Sequence, residues 1–597
     1  MARLRNVQRK PISFDTTIRN PERLGKFLSI LKKYENKILT YEIALEIEAW
    51  LIIYKIYEPT KDSLGTYTKE YSIKFKFIAE DQSKEAEKKV SLYFNEWKKS
   101  EPGKFPLDKM LYLLKNTIQK FKQDSSMPGG WVSRFYTQYL FSNELGFVHT
   151  EFGKKIQFSE NGNMMIHNFT FGKVKENYND VYEASAFLTA FSKYQSNNPY
   201  RSNTIKVNFF VLVLNVIKYL NEKYNKHGIH REDLTFIIAW GSNDYVELAE
   251  YIYRFRAKFR YTASEETIYD YAMNLIENEV NPELKPASKE FIAKKKTHYK
   301  HNKLINETRD EVIRKLRMTR LISLRGSGRF IDIDTLNKDK VDYILQTYSK
   351  NINFDASDYQ AYLDYMGNVD KNLIYPIEVN ESEENFDIKQ KALKTWAAEP
   401  WDFLQKELVR SANGSNTDNL ILREIKSTAR FEFLISAVLY KALPKAIIQP
   451  NYIVDDEGIP YSTATGQTKY LTGADIDIFE DSIHALAEPT ISKSRSFQVE
   501  HEIPSIQEHV LETNEKDFDD SNREHIDEWF ALFIAPNINK AVGNRIDIVR
   551  EESGVEIYAW NAKDFGEYIQ NLESIRELKV IRNYAVGRKM KKRLKKN

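Results

Sequence analysis

The chain has no cysteine in its 597 residues. That removes disulfides, thiolate metal sites and cysteine nucleophiles, and it accords with a reducing cytoplasm. No apolar signal-like stretch follows Met1, and no apolar run reaches the length that spans a bilayer. The expectation is a cytoplasmic protein with no membrane partner. Net charge is nearly absent too, at +3, but the charges are segregated. Residues 291–330 carry twelve Lys or Arg against Glu307, Asp310 and Glu311, and the tail from Arg588 is mostly basic. Acid gathers instead in 378–387 and 512–528. This asymmetry points to a polyanion partner, nucleic acid first. A solvated helix face or tail is the competing reading of any single basic run.

What is present suits a folded protein. Hydrophobic residues make up 42% and aromatics 13% of the chain, enough for several cores, and the length is that of about four ordinary domains.

Four stretches before the acidic run invite contact with DNA. Asn20 and Pro21 read as the cap and first turn of a helix through Leu24, Phe27, Leu28 and Leu31, with Arg19 and Arg23 beside its anion-favouring end. Residues 131–170 read as a helix, a strand, a polar turn at Asn161-Gly162-Asn163 and a further strand, like the wing end of a winged helix. From 180 to 258 the pattern is helical. Ile205 to Leu220 is a buried helix, and Asn243 or Asp244 caps a helix to Arg256. Glu311 to Met318 then predicts a helix, followed by a hairpin turning at Gly326-Ser327-Gly328. It again resembles a winged helix, with Arg325 and Arg329 placed for phosphate or a minor groove. Lys193, Arg201, Arg231, Asn243, Arg320 and Arg329 are the candidate base readers, since Arg, Lys, Asn and Gln dominate major-groove contacts. Leu373 to Lys391, with Pro376 and a dense run of acids, reads as a solvated boundary.

Beyond that boundary the order is helix, strand, strand, helix, strand, strand: a small mixed sheet flanked by helices. Two strands form its centre of interest, Ala474-Asp475-Ile476-Asp477-Ile478 and Ile483-His484-Ala485-Leu486-Ala487-Glu488. Alternation puts Asp475 and Asp477 on one face. A turn at Asp481-Ser482 would set Asp475 opposite Glu488, at one edge of the sheet. Directly opposed like charges destabilise a sheet, so a hard divalent cation is the economical compensation. A half-exposed edge strand would show the same alternation. Lys493, five residues past Glu488, and Glu500 and Glu502 beyond it complete a set suited to Mg²⁺-dependent phosphodiester hydrolysis. Glu432, among Phe431, Phe433 and Leu434, is a carboxylate that needs a partner or a cation if buried.

These residues carry a resemblance. Phe431-Glu432-Phe433-Leu434, Ala474 to Ile478, Ala487-Glu488-Pro489-Thr490 with Ser492-Lys493, Glu500-His501-Glu502 and Leu532 to Lys540 are similar to the AlwI-type restriction endonucleases. These are type IIS enzymes with nicking relatives. Residues 18–23, Tyr251 to Arg256 and the 320–333 hairpin extend the likeness upstream. The resemblance implies an N-terminal, largely helical DNA-recognition half with winged-helix-like units and a C-terminal α/β nuclease of the PD-(D/E)XK fold. It implies metal ligands at Asp475 and Glu488, supporting acids at Glu432 and Glu500, and a catalytic lysine at Lys493. Thr490 stands two residues after Glu488, where the general nuclease pattern has Lys.

The expected organisation is 1–175 and 176–290 as recognition subdomains, 291–375 as a basic winged-helix-like unit with a helical linker, 376–390 as the acidic boundary, and 391–597 as the nuclease with its basic tail. The expected activity is Mg²⁺-dependent cleavage of double-stranded DNA a few base pairs outside a short asymmetric site. A transient homodimer or a small second subunit would supply second-strand cleavage. The alternatives are a strand-specific nickase, or the large subunit of a heterodimeric one, and a DNA-binding regulator with an inactive nuclease-like domain.

Overall fold

Helix starts in the N-terminal part are set by short polar side chains. Thr40, Ser159, Asn208, Asp244, Ser264 and Ser288 each accept a hydrogen bond from the backbone N–H three residues on. In the computed structural model the described residues are 11–12, 14, 21–59, 84–117, 119, 130–175, 178–201, 203–278, 282–350, 352, 354–355, 358–377, 382–464, 473–521, 523 and 525–581. They fall into two units. One comprises Met1–Leu321, Ile331–Ile333 and Asn337–Tyr375; the other comprises Ile322–Phe330, Asp334–Leu336 and Pro376–Asn597.

The first unit is helical. The apolar block expected from Ile205 becomes the helix Phe209–Tyr224, starting later because Asn208 caps it. Phe14 packs edge-on against Phe141, Phe191, Tyr194 and Phe209 at the centre of this unit. Two expectations are corrected here. Asn161-Gly162-Asn163 is not a turn between strands: it lies in the helix Glu160–Met165, because the Ser159 hydroxyl accepts from Gly162 N and starts a helix there. The strands beside it, Val148–His149 and Gln157–Phe158, are only two residues each. The second correction concerns the basic stretch. Its helix Thr308–Arg317 is not a solvated face, since Arg309, Lys315 and Arg317 are buried. Lys315 lies 3.8 Å from Glu311 and 4.6 Å from the centre of the Phe141 ring. Buried cations are tolerated when paired in this way.

The second unit holds the mixed sheet. Its helices are α1 (Glu383–Ala397), α2 (Trp401–Ala412), α3 (Ser427–Ala442), α4 (Ile503–Asp519), α5 (Lys540–Ser553) and α6 (Ala562–Tyr568). Beside the strand Ile322–Arg325, its strands from Pro376 onward are β1 (Ile447–Pro450), β2 (Tyr452–Val454), β3 (Pro460–Ala464), β4 (Ile476–Glu480), β5 (Ile483–Pro489), β6 (Glu528–Ala535) and β7 (Ile557–Asn561). The five-stranded sheet runs β7-β6-β5-β4-β1, and β2 pairs separately with β3. β1, β4 and β5 are antiparallel in turn; β5, β6 and β7 are parallel.

Interior strands covered on both faces read as continuous apolar runs, and β5 and most of β6 are buried accordingly. Leu486, Ala531, Phe533 and Ile557 pack against Ile503, Ile506 and Val510 of α4 and Val542, Ile546 and Val549 of α5. β1, β2 and β3 were not anticipated. The second unit resumes at Pro376, but the described part of the acidic stretch is helix rather than solvated linker. Ser382 caps α1 by accepting from Asn385 N, and Glu383 and Glu384 lie in the first turn, where the helix dipole favours acid. Among the described residues, no helix is long and apolar enough to cross a membrane.

Candidate active site

The hairpin β4–β5 determines where the carboxylates stand. Asp481, in the left-handed region at φ 51, forms its turn with Ser482, and Glu480 pairs with Ile483. From there the register climbs to Asp477 opposite Leu486 and Ile476 opposite Ala487. Asp475 follows next on one strand and Glu488 on the other, as the sequence predicts. The edge-strand reading fails on this sheet. β5 is its middle strand and β4 lies between β1 and β5, so the pair sits at strand ends in the interior of the sheet.

Other acids converge on the pair. Burial first, then the negative charge of Glu432, Glu488 and Glu502, holds the Asp475 carboxyl well above the usual carboxylate range. Two like charges about 5 Å apart repel by about 3 kcal/mol at an effective dielectric of about 20. A cation is therefore a better partner here than water. Glu432 is carried into this cluster, buried, by α3. Burial also raises Glu502 to about 7, opposed by its hydrogen bond from Thr490 and reinforced by the charge of Glu488.

Thr490, which occupies the position of the pattern's lysine, thus ties one acid of the cluster to the end of β5. Its own N–H donates to the Ile534 carbonyl, 2.8 Å. His509 of α4 places Nδ1 2.8 Å from Oε1 of Glu488 and Nε2 3.4 Å from the Ser505 hydroxyl. Burial works against its protonation, but Glu488, Glu512 and Glu508 outweigh it and raise its pKa. Gly473, at φ +83, leaves room for this ring: a Cβ there would come within 3.1 Å of the imidazole.

The expected residues divide clearly. Asp475, Glu488 and Glu432 come together. Lys493 is exposed in the segment after β5, and Glu500 is exposed as well. Glu502, two residues on, is the acid that acts on Asp475. Reading Glu500 as the supporting acid fails because the π-helical segment Gln498–Glu502 turns it outward. His509 was missed. A histidine one turn and a half into an amphipathic helix carries no sequence signal until β5 is laid beside it.

The chain's expected DNA contacts also divide. Arg23, Asn243 and Arg329 are exposed. Arg19 and Asn20 lie outside the described residues, as does the basic tail. Lys193 is a correction: it is buried, and its ammonium donates to the carbonyls of Tyr365 and Asn368. Arg201 pairs with buried Glu144, Arg320 with Asp180, and Arg231 lies buried 3.8 Å from Asp310. A desolvated charge is costly unless paired, so these cations hold the first unit together internally. Arg325 pairs with Asp456 at 2.8 Å and with Glu457.

Among the described residues, no group of three His, Cys, Asp or Glu side chains is placed to hold a metal ion by itself. Mg²⁺ needs no such cage. It typically takes one or two carboxylates and fills its other positions with water and phosphate oxygens. Asp475 and Glu488 offer two carboxylates of that kind, with His509 already on one oxygen of Glu488.

The model of the family described as AlwI restriction endonuclease matches residues 143–413 and 402–550. Among solved structures, the small subunit (R.BspD6I2) of the heterodimeric restriction endonuclease R.BspD6I is similar at 18% identity and TM-score 0.21, covering 35% of this chain and 87% of its own. The restriction endonuclease FokI is similar at 9% identity and TM-score 0.24, covering 92% of this chain and 98% of its own. FokI bound to DNA gives 10% identity, TM-score 0.24, 96% of this chain and 99% of its own. No curated protein matches.

Proposed function

Because the chain belongs to the AlwI restriction endonuclease family, we propose that it is a type IIS enzyme. It binds a short asymmetric site through its helical unit and hydrolyses phosphodiester bonds a few base pairs outside that site with Mg²⁺. The observation that carries this reading is the convergence of Asp475, just before β4, and Glu488, near the end of the neighbouring β5, with Glu432 and Glu502 adding negative charge. The succession α3, β1, β4, β5, α4, β6 is read as a PD-(D/E)XK nuclease core.

Asp475 and Glu488 would hold the ion through their carboxylate oxygens, and His509 holds Glu488 in orientation. The ion lowers the pKa of a bound water and neutralises charge on the phosphate. Lys493 is assigned to the phosphate, with the attacking water held by the acids. Thr490 keeps Glu502 beside them rather than serving as a cation itself. One such site per chain cuts one strand, so cleavage of both needs a second copy or a small partner subunit. Without either, the product is a nick.

The test is incubation of supercoiled plasmid with Mg²⁺ and run-off sequencing of both strands, beside Asp475→Asn. Asp475→Asn should lose cleavage by at least about 10²-fold while binding the same site as the parent. Cleavage retained in that variant rejects the site. Open circles without linear product mark a nickase. Specific binding with no cleavage in Mg²⁺ or Mn²⁺ marks a binding regulator.

A further inference from the structure

A second polar network lies one pleat away from the acids, on the same face of the sheet. It begins at Arg523, whose guanidinium donates to Asp517 Oδ1, 2.8 Å. Trp529 Nε1 donates to Asp517 Oδ2, 2.9 Å, and that oxygen also meets His484 Nδ1. The other ring nitrogen, Nε2, is 2.8 Å from Asp477 Oδ1. Asp477 Oδ2 accepts from the Asn451 amide, 2.8 Å. Asn451 then reaches the backbone of the catalytic segment twice. Its side-chain amide donates to the Ala474 carbonyl, 2.7 Å, and its own N–H donates to the Asp475 carbonyl, 2.9 Å. His484, Asp477 and Asp517 are all buried.

The placement matters because Asp475 lies just outside the ladder of β4. The first laddered residue is Ile476, which pairs with both Ala487 and Pro450. Beyond it Asn451 bonds the backbone carbonyls of both 474 and 475 and so continues the hold of the ladder. The orientation of Asn451 is fixed by chemistry. Both groups that its amide nitrogen meets are acceptors, so the nitrogen and not the oxygen must face them. Asp477 in turn is held by His484, and His484 by Asp517, so the clamp is anchored in the last turn of α4. Helix α4 therefore engages the carboxylate face twice, through His509 on Glu488 and through Asp517 on this chain.

We propose that Asn451 is the positioning residue of the nuclease site: it fixes the backbone that carries Asp475, and the chain Asp477–His484–Asp517–Arg523 fixes Asn451. The inference rests on the nuclease reading and adds to it five residues outside the acid cluster. Groups that orient metal ligands are typically worth about 10–100-fold in metal affinity or activity.

The experiment is Mn²⁺ binding to the full chain, read by electron paramagnetic resonance, together with DNA binding in Ca²⁺, thermal unfolding and plasmid cleavage. Asn451→Asp keeps the shape and replaces the amide donor with an acceptor facing Asp477 and the Ala474 carbonyl. It should weaken Mn²⁺ binding by about 10–100-fold. Cleavage should fall with it and recover in part at high metal concentration. Affinity for the DNA site should stay within about twofold of the parent. Asn451→Ser, which keeps one donor, should lie between, and it carries the comparison if Asn451→Asp does not accumulate folded. Unchanged Mn²⁺ affinity in a folded variant overturns the proposal. So does a loss of DNA binding, metal binding and cleavage in one common proportion, which a merely structural residue would give. The nuclease reading fails separately, if Asp475→Asn binds Mn²⁺ as the parent does, and the clamp then has no ligand to position.

Discussion

Asp334 shows how much one buried carboxyl can tell. Burial first, then the charges of Asp456 and Asp455, raises it to about 8. Its neutral form also solves a bonding problem. Tyr461 has a single phenolic proton, yet its oxygen lies 3.0 Å from the Ile322 carbonyl and 2.8 Å from Asp334 Oδ2. With Asp334 protonated, the acid donates to Tyr461 and Tyr461 donates to Ile322. The folded state then holds a proton that the unfolded chain releases near pH 4. Stability should therefore fall as pH rises from about 4 to about 8, by at most about 1.4 kcal/mol per pH unit from this group. Asp334→Asn keeps a donor toward Tyr461 and should flatten that slope. Urea midpoints across the window, parent against variant, check it, and identical slopes would contradict it.

At the scale of elements, the β4–β5 turn acts as the ruler of the site. Inserting one glycine between Asp481 and Ser482 shifts β4 by one place against β5, and a one-residue slip turns a whole strand over. Cleavage should disappear although every carboxylate is retained. Insertion of two residues, which restores the face, should leave more activity, and plasmid assays on the two insertions separate them.

This hairpin was legible in the sequence because its signals are local: alternation, a two-residue turn and acids at matched ends. β6 and β7 were legible as apolar runs. The short strands β1–β3 were not, since pairs of three to five residues with Pro450 and Pro460 carry little periodicity. Nor was the role of His509, which comes into being only when α4 packs on the sheet; Glu502 was legible as an acid of the set, but not that it rather than Glu500 would face Asp475. Those of the expected DNA contacts that proved paired within the fold were misread for the opposite reason. Arg201 and Arg320 look like free cations until Glu144 and Asp180, distant in sequence, fold beside them.

For the whole molecule, the decisive feature is the segment Ile322–Phe330 with Asp334–Leu336, which groups with the C-terminal unit. Buried Asp455 accepts from Leu324 N as well as from Glu457 N and Ile459 N, and Asp456 accepts from Ser323, Arg325 and Thr335. A fragment starting at Pro376 lacks those donors. It should melt below the same fragment supplied with a peptide of residues 322–336, in a peptide-concentration-dependent manner. No shift at saturating peptide would contradict the grouping. The same threading bears on ancestry. Because the polypeptide changes unit at 321/322, 330/331, 333/334, 336/337 and 375/376, a single genetic crossover cannot exchange either unit whole. Any recombinant joined near residue 376 would graft one lineage's acidic loop onto another lineage's hairpin, so these two stretches must be inherited as a matched set.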